Sequence, residues 1–184
     1  TAVYFKERFS IPESLEEIKS TWMDMARDKY TNKVPLKPGA REFLVWLRQQ
    51  GIRTGIASSN GIELVETVLK AQGIQEYLES VQNEIRQQTH LQGGPRINER
   101  GDHMVSKQFI AQNRPAGKPA PDIYLLVAET LGVKPEECLV FEDVPMGILA
   151  GKNAGMRVCA VEDTFSASQR EEKKELADYY IESY

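Results

Sequence analysis

From Pro38 to the end of the chain, short apolar runs alternate with helical patterns, and this alternation strongly limits the possible folds. The runs at residues 52–57, 138–141, 157–161 and 179–181 predict strands. The segments from 40 to 47, 62 to 71, 121 to 131, 144 to 154 and 169 to 177 predict helices, several of them followed by a closing glycine. Alternating strands and helices predict an α/β fold with a parallel sheet and right-handed crossovers.

The N-terminal segment predicts a separate helical element. Ser14 and Glu17 form a capping-box pattern, which predicts a helix that begins there and runs to about Tyr30. Leu15, Ile18, Trp22 and Met25 recur at helical spacing, so this apolar stripe is predicted to pack against another element. The two prolines and the glycine at residues 32–39 predict a hinge or linker before the α/β part.

Composition excludes several classes of partner. The 184-residue chain has a formal net charge of −4 and contains no basic run, which disfavours nucleic acid and anionic membranes as partners. No apolar run approaches the ~20 residues of a membrane span, and the first ten residues do not have the apolar core of a signal peptide, so a cytoplasmic protein is predicted. Cys138 and Cys159 lack C-x-x-C spacing and are predicted to be buried reduced thiols rather than a disulfide or a metal site.

Residues 79–116 differ from the rest of the chain, because they are rich in Gln, Asn and Arg and contain only scattered apolar residues. They predict an exposed, partly disordered insertion without a clear strand. His90 and His103 lie in this segment without acids or cysteines at ligand spacing, and both are predicted to be solvent-exposed.

Polar side chains follow three successive elements of the predicted sheet. These are Ser58 with Ser59 and Asn60, then Lys118, and then the pair Glu142 and Asp143. Because ligands bind at the carboxyl ends of parallel strands, a hydroxyl donor, a cation and carboxylates are predicted to meet at one edge. Each part also has a simpler interpretation: a serine or the acidic pair caps the following helix, and Lys118 is a surface residue.

Such a set of groups suits a phosphorylated ligand bound together with a metal ion. Hydroxyls beside the first turn of a helix can hold a phosphate. Mg²⁺ prefers oxygen ligands, often one or two carboxylates completed by substrate phosphate and water. An ammonium group would offset charge on the phosphoryl group and its nucleophile.

The segments around these residues resemble the motifs of the haloacid dehalogenase superfamily. GIASSNG with Ser58 is similar to the second motif of that family, GKPAPDIYL with Lys118 to the third, and LVFEDVPMGILAGKNAGM with Glu142 and Asp143 to the fourth. Within the superfamily, the chain resembles the β-phosphoglucomutase-like phosphatases. The resemblance implies a three-layer Rossmann-like core at residues 35–184, with residues 79–116 as an atypical insertion, and the C-terminal part of a helical cap at residues 1–34.

The resemblance also implies a role for each site residue. Ser58 would donate to phosphoryl oxygens, with Ser59 and Asn60 beside it, and Lys118 would stabilise both the phosphate and the nucleophile. Asp143 would be a ligand of Mg²⁺, directly or through water, with Glu142 as a second ligand or its neighbour.

The first motif of the family, a strand ending in D-x-D, is absent from this sequence. Asp24 lies in a helical pattern, and Asp122 and Asp163 are in the wrong places to supply the nucleophile. Because the chain begins at Thr1 rather than Met, the simplest expectation is a sequence lacking roughly 60–90 upstream residues, an estimate from the lengths of βα units and helices. The missing central strand would leave a sheet edge uncovered.

The resemblance implies a Mg²⁺-dependent phosphatase that acts on a small phosphorylated metabolite through an aspartyl-phosphate, with a monomer favoured. A non-catalytic remnant that retains the anion and metal pocket is the alternative from another class. A β-phosphoglucomutase-type phosphomutase is less favoured, because it needs a cap that excludes water. The halide-releasing branch is disfavoured, since dehalogenation does not need the acidic pair.

Overall fold

Parallel strands form the centre of the computed structural model, which describes residues 2–83 and 117–184. Two strands, β1 (Gly55–Ser58) and β2 (Ser80–Asn83), pair with each other. A second sheet has the order β3-β4-β5, made of Leu139–Glu142, Arg157–Val161 and Tyr179–Ile181. Within the described residues, no hydrogen-bonded strand joins the two sheets.

Helices surround both sheets. In chain order they are α1 (Ala2–Phe9), α2 (Leu15–Asn32), α3 (Ala40–Gln49), α4 (Ile62–Gln72), α5 (Asp122–Leu131), α6 (Pro145–Asn153) and α7 (Arg170–Leu176). Short 3₁₀ turns lie at Gln75–Tyr77, Pro135–Glu137 and Ala167–Gln169. Helix α5 contacts β1 and β2 and also contributes to the buried cluster on β3, so it links the two sheets.

Side chains that alternate along the strands bury both faces of the sheets. Ile56 of β1 packs beside Val65 of α4 on one face. Val140 of β3 lies on the other face, in the buried cluster with α5 and α6. Phe141 points away from that cluster and meets the ring of Phe43 in α3 at 5.3 Å between centroids. Helices therefore cover two faces, which confirms the predicted three-layer Rossmann-like arrangement.

Two strands are observed at positions that differ by one to three residues from the predicted bounds. The strand predicted at residues 52–57 is observed at Gly55–Ser58, and the one predicted at residues 138–141 is observed at Leu139–Glu142. Ser58 and Glu142 are therefore the last residues of their strands rather than the first residues after them. The predictions for β4 and β5 match the observed bounds.

The prediction that residues 79–116 contain no clear strand is wrong at their start. Ser80–Asn83 forms β2, which pairs with β1 over the whole of both strands. The sequence SVQN has little apolar character, so backbone pairing with β1 and burial of Ser80, which is 3% exposed, define this strand. His90 and His103 lie outside the described residues.

The N-terminal helices confirm the predicted capping box at Ser14, whereas the predicted packing of the apolar stripe is observed only in part. The Ser14 side chain accepts from the Glu17 N–H, and the Glu17 carboxylate accepts from the Ser14 N–H, as a capping box requires. Trp22 and Met25 are 49% and 55% exposed, although the sequence predicts that they pack. Leu15 and Ile18 of the same stripe are half-buried, and the ring of Trp22 meets that of Phe5 in α1 at 6.3 Å between centroids.

Two smaller predictions concern thiols and membranes. Cys138 and Cys159 are free thiols, as predicted; Cys159 is buried as expected, whereas Cys138 is only half-buried. None of the helices in the described ranges combines the length and apolarity that a bilayer-spanning segment needs.

Glu162, which follows β4, makes the stability of this fold depend on acid pH. Hydrogen bonds from Arg170 and then from Tyr180 hold the pKa of Glu162 at about 2, well below the ordinary value of 4.5. Because the folded pKa is depressed, this stabilisation is complete above about pH 4.5 and is lost as pH falls toward 2. We expect the melting temperature of Glu162→Gln to depend less on pH in this window than that of the wild type. If the melting temperatures of the two proteins fell equally between pH 4.5 and pH 2, Glu162 would not be the cause of the acid sensitivity.

Candidate active site

Lys118 joins the carboxyl ends of the two sheets. Its ammonium Nζ lies 3.5 Å from the carbonyl oxygen of Ala57 in β1 and forms an ion pair with the carboxylate of Glu142 at the end of β3. Ser58 is the residue next to Ala57, at the end of β1. The structure therefore brings Lys118 and Glu142 into direct contact at the carboxyl ends of the strands, which we call the rim. The turn formed by Ser58, Ser59 and Asn60, here the serine turn, lies on the same rim.

Glu142 is held by three neighbours and is largely withdrawn from water. Its side chain is 11% exposed, and its Oε1 atom accepts from both Lys118 and the hydroxyl of Tyr124. The Lys118 ammonium also lies 5.0 Å from the centre of the Tyr124 ring. Gly147 of α6 completes the surroundings, because an added Cβ at this position would overlap the Glu142 carboxylate. Glu142 is therefore fixed in place by a cation, a hydroxyl and a required glycine.

The contact with Gly147 gives a prediction for Gly147→Ala. Alanine in a helix interior is favoured over glycine by about 1 kcal/mol, but overpacking costs about 1–3 kcal/mol, so we expect a net loss of stability. Chemical denaturation measures it. The matched control is Gly147→Ala in a Glu142→Ala background, where the carboxylate is gone and the new methyl group has room. An equal destabilisation in both backgrounds would show that the Glu142 contact is not its cause.

Asp143 contacts a lysine that the sequence did not single out. Nζ of Lys37 lies 3.4 Å from Oδ2 of Asp143 and also pairs with the carboxylate of Asp163, which follows β4. Burial lowers the pKa of Lys37, but the hydrogen bonds and charges of the two carboxylates outweigh it and raise that pKa. The hydrogen bond from Lys37 lowers the pKa of Asp163. The linker between α2 and α3 thus supplies a second cation to the rim.

The serine turn does not cap helix α4 through a side chain. The N-cap of α4 is Gly61, which makes no side-chain hydrogen bond, and the hydroxyl of Ser58 accepts instead from the N–H of Asn60 at 3.1 Å. Asn60 Nδ2 donates to the hydroxyl of Tyr30 in α2 at 3.4 Å, and Ser59 is exposed beside it. The capping interpretation of Ser58 is therefore wrong, whereas the phosphate-binding roles of Ser58, Ser59 and Asn60 remain predictions.

A small cleft opens beside the acidic pair, lined by Lys37, Phe141, Glu142, Asp143, Val161 and Tyr184. Burial, followed by the charge of Asp143, raises the pKa of Tyr184 to about 12. Within residues 2–83 and 117–184, no group of three acids, histidines or cysteines is arranged to hold a metal ion. The two adjacent carboxylates nevertheless fit Mg²⁺, which commonly takes only one or two carboxylates and completes its shell with phosphate and water.

The structure supports the exclusion of other aspartates as the nucleophile. Asp24 lies within α2 and pairs with Arg27 at 2.8 Å, and Asp122 is the first residue of α5. Asp163 reaches the rim but is bound to Lys37. Among the described residues, none of these three provides a D-x-D carboxylate at a strand end.

Three residues that contact the rim were not predicted from the sequence: Lys37, Tyr124 and Ser166. Tyr124 belongs to the GKPAPDIYL segment, so its position in the first turn of α5 was an available signal. The hydroxyl of Ser166 donates to the backbone carbonyl of Asp143 at 2.6 Å. Lys37 and Ser166 carried no comparable signal, because their contacts join segments far apart in the chain.

Comparison with protein families gives one model that matches most of the chain. The model described as haloacid dehalogenase-like hydrolase matches residues 5–155. A probable pseudouridine-5'-phosphatase of Drosophila melanogaster is 30% identical over 155 residues, which are 80% of this chain and 57% of that protein. Hexitol phosphatase B of Escherichia coli strain K12 is 28% identical over 149 residues, 81% of this chain and 54% of that protein. The chain thus spans little more than half the length of these curated relatives.

Solved structures show the same fold. A putative β-phosphoglucomutase from Thermotoga maritima aligns with 98% of this chain and 71% of its own, at a TM-score of 0.69 and 24% identity. A hydrolase from Deinococcus radiodurans, solved with bound phosphate and sodium, aligns with 99% of this chain and 69% of its own, at a TM-score of 0.62 and 22% identity.

Proposed function

Because the chain belongs to the haloacid dehalogenase-like hydrolase family, we propose that the whole protein is a Mg²⁺-dependent phosphatase that acts on a small phosphorylated metabolite through an aspartyl-phosphate. The observation that carries the proposal is the position of Lys118 between the Ala57 carbonyl and the Glu142 carboxylate. This contact unites a cation and a carboxylate from separate sheets at the carboxyl edge, where α/β folds bind ligands. The phosphatase names of the relatives support a phosphate ester as the substrate.

Lys118 is proposed to stabilise the phosphoryl group during transfer. Its side chain is 14% exposed, so its charge acts in a partly dehydrated site where electrostatic interactions are stronger than in water. The Ala57 carbonyl, Glu142 and the Tyr124 ring hold the ammonium in one place. A charge fixed before the reaction needs no reorganisation as negative charge develops on the phosphoryl oxygens and the attacking carboxylate.

The turn after β1 is proposed to bind the phosphoryl oxygens. Ser58 ends the strand, and Ser59 and Asn60 precede the N-cap of α4. The N–H groups of the first helical turn and the positive end of the helix dipole favour an anion there. Hydroxyl and amide donors on this turn would orient the phosphate toward the Lys118 ammonium.

Glu142 and Asp143 are proposed to hold Mg²⁺ at the cleft. When bound, the ion would neutralise charge on the phosphoryl oxygens and help to orient them. Gly147, Tyr124 and Lys118 fix the Glu142 carboxylate, and Lys37 faces the Asp143 carboxylate. The two acids would therefore supply part of the metal shell, and the remaining positions would be filled from outside the described residues.

The nucleophile is proposed to lie on a strand between β1 and β3 in the whole protein. These strands end at the same rim but belong to separate sheets within the described residues. Neighbouring strands of a sheet lie about 4.8 Å apart, so one inserted strand would join both halves into a single parallel sheet of the order β2-β1-new strand-β3-β4-β5. A D-x-D motif at the end of that strand would lie on the same rim, beside Lys118 and the acidic pair.

Residues 1–34 are proposed to be part of a cap above this rim. The apolar side chains of α1 and α2 that remain half exposed include Phe5, Phe9, Trp22 and Met25. Tyr30 of α2 reaches Asn60 of the serine turn, and Arg27 pairs with Glu63 of α4 at 2.6 Å. These contacts place α2 beside the predicted phosphate turn, where a cap would contact the rest of the substrate.

The competing proposal is that this chain binds phosphate and metal without turnover. Its support is the absence of D-x-D from the sequence. A phosphomutase is less favoured, because returning a phosphoryl group to a sugar requires a cap that excludes water, and α1 and α2 leave their apolar face open.

Hydrolysis of p-nitrophenyl phosphate by the whole protein separates the phosphatase from the non-catalytic proposal, because both expect the 184-residue chain alone to be inactive. The whole protein should hydrolyse this ester with Mg²⁺, stop when EDTA is added and recover when excess Mg²⁺ is restored. The 184-residue chain should show no turnover under the same conditions. Undiminished hydrolysis by the whole protein in EDTA would contradict the metal-dependent phosphatase, and Mg²⁺-dependent turnover by the 184-residue chain would contradict the placement of the nucleophile outside it.

A further inference from the structure

A fully buried lysine lies behind the candidate metal site and does not contact the proposed phosphate or metal ligands directly. Lys173 of α7 is 0% exposed. Its Nζ donates to the Ser166 hydroxyl at 3.0 Å, to the Val161 carbonyl at 3.3 Å and to the Glu162 carboxylate at 3.4 Å. An ammonium has three N–H donors, so these acceptors satisfy all of them. Lysine is almost never fully buried unless it is paired, and this one is paired with Glu162.

The hydrogen bonds of Ser166 connect this buried charge to Asp143. Ser166 is 3% exposed, and its hydroxyl donates to the backbone carbonyl of Asp143 at 2.6 Å. An ammonium can only donate and a carbonyl can only accept, so the single hydroxyl proton of Ser166 must point toward Asp143. Lys173 therefore fixes the direction of a two-step chain of hydrogen bonds that ends on the main chain of Asp143.

The bond from Ser166 holds a residue that no helix or strand fixes in place. Asp143 lies between the end of β3 at Glu142 and the start of α6 at Pro145, outside any regular element. Its carboxylate is 40% exposed, and its described ion pair, to Lys37, is 3.4 Å long. The bond from Ser166 anchors the peptide unit that sets the direction of this carboxylate. Because the bond from Ser166 is made to the backbone, it does not occupy the carboxylate oxygens, which can face Lys37 and a metal ion.

We propose that Ser166 and Lys173 are positioning residues that orient Asp143 for the metal ion. The inference rests on the proposed function, in which Asp143 is a metal ligand. Replacing Lys173 should not leave the Glu162 carboxylate without partners, because Arg170 and Tyr180 also donate hydrogen bonds to it. An effect of Lys173 on metal binding can therefore be distinguished from an effect on folding. Partners that orient metal ligands typically contribute about 10–100-fold to metal affinity.

Mn²⁺ titration of the whole protein, followed by water-proton relaxation, tests the inference without an activity assay, since Mn²⁺ accepts the same oxygen ligands as Mg²⁺. Ser166→Ala should weaken Mn²⁺ binding by about tenfold, and Ser166→Thr should restore it because the hydroxyl is retained. Lys173→Met should weaken binding less, since Ser166 can still donate to Asp143. In the Ser166→Ala background, Lys173→Met should have no further effect on affinity, because Lys173 acts through the hydroxyl.

Ser80→Ala is the matched control, because Ser80 is equally buried but lies in β2. Melting temperatures of all variants separate folding from orientation. A lower melting temperature with wild-type Mn²⁺ affinity in Ser166→Ala would overturn the inference, as would additive effects of the two substitutions on affinity. Asp143→Asn tests the proposed metal site separately from the positioning role. If Asp143→Asn binds Mn²⁺ like the wild type, Asp143 is not a metal ligand. If only the Ser166 and Lys173 variants bind Mn²⁺ normally, the positioning role alone is rejected. Should Ser166→Ala not fold, unchanged affinity in Lys173→Met rejects it equally.

Discussion

Replacing Lys118 with methionine should lower the kcat of the whole protein by about 10²–10³-fold, the usual effect of removing one preorganised group that stabilises transition-state charge. Methionine keeps much of the length of the side chain and removes only the ammonium that contacts Ala57 and Glu142. The effect should fall on kcat more than on KM, because the charge that Lys118 meets is largest in the transition state. Steady-state hydrolysis of p-nitrophenyl phosphate measures both constants.

The matched control for this prediction is Lys152→Met. Lys152 also pairs with a carboxylate, Asp178, at 2.6 Å, but Asp178 binds the N–H of Val158 near the amino end of β4, away from the rim. Its replacement should leave kcat within about twofold, as expected for a partly exposed ion pair outside the site. Equal losses in the two variants would mean that Lys118 contributes through folding rather than through the reaction.

Asp143→Asn should remove metal-dependent turnover by the whole protein almost completely. A metal ion supplies several kcal/mol of transition-state stabilisation, which corresponds to a loss of about 10²-fold or more when it is no longer held. The amide has nearly the shape of the carboxylate but lacks its charge, so the apparent affinity for Mg²⁺ should fall as well. The measurement is the initial rate as a function of Mg²⁺ concentration.

Asp178→Asn is the control for this second prediction, since it is the same substitution at a lysine-paired carboxylate. Asp178 lies near the amino end of β4, away from the rim. We expect its Mg²⁺ dependence to equal that of the wild type. If Asp143→Asn retained wild-type rates at low Mg²⁺, Asp143 would not be a ligand of the ion.

The elements that frame the rim were predictable because their signals are local. The apolar runs around Val140 and Val158 identify buried strands, and the glycines Gly73 and Gly132 adopt the left-handed conformation at the ends of α4 and α5. Since ligands bind where parallel strands end, the meeting of Lys118 with Glu142 at one edge was predicted from the alternating elements together with the GKPAPDIYL and LVFED motifs.

The remaining features depend on tertiary structure. Strand β2 was missed because SVQN has no apolar alternation and is defined by its pairing with β1. Lys37 lies in a proline-rich linker, and its pairing with Asp143 and Asp163 arises only when the linker passes over the rim. Trp22 was predicted to pack because helical spacing reveals an apolar face but not whether another element covers it.

Binding of inorganic phosphate to the whole protein, measured by calorimetry with and without Mg²⁺, tests most directly whether one site holds both ions. We predict that Mg²⁺ tightens phosphate binding by about 5-fold or more and, by thermodynamic reciprocity, that phosphate tightens Mg²⁺ binding by the same factor. Asp143→Asn should abolish this coupling, and Lys118→Met should weaken phosphate binding without abolishing it. Phosphate binding that does not change with Mg²⁺ in the wild type, or coupling that survives in Asp143→Asn, would show that phosphate and the metal ion do not share a site at Asp143.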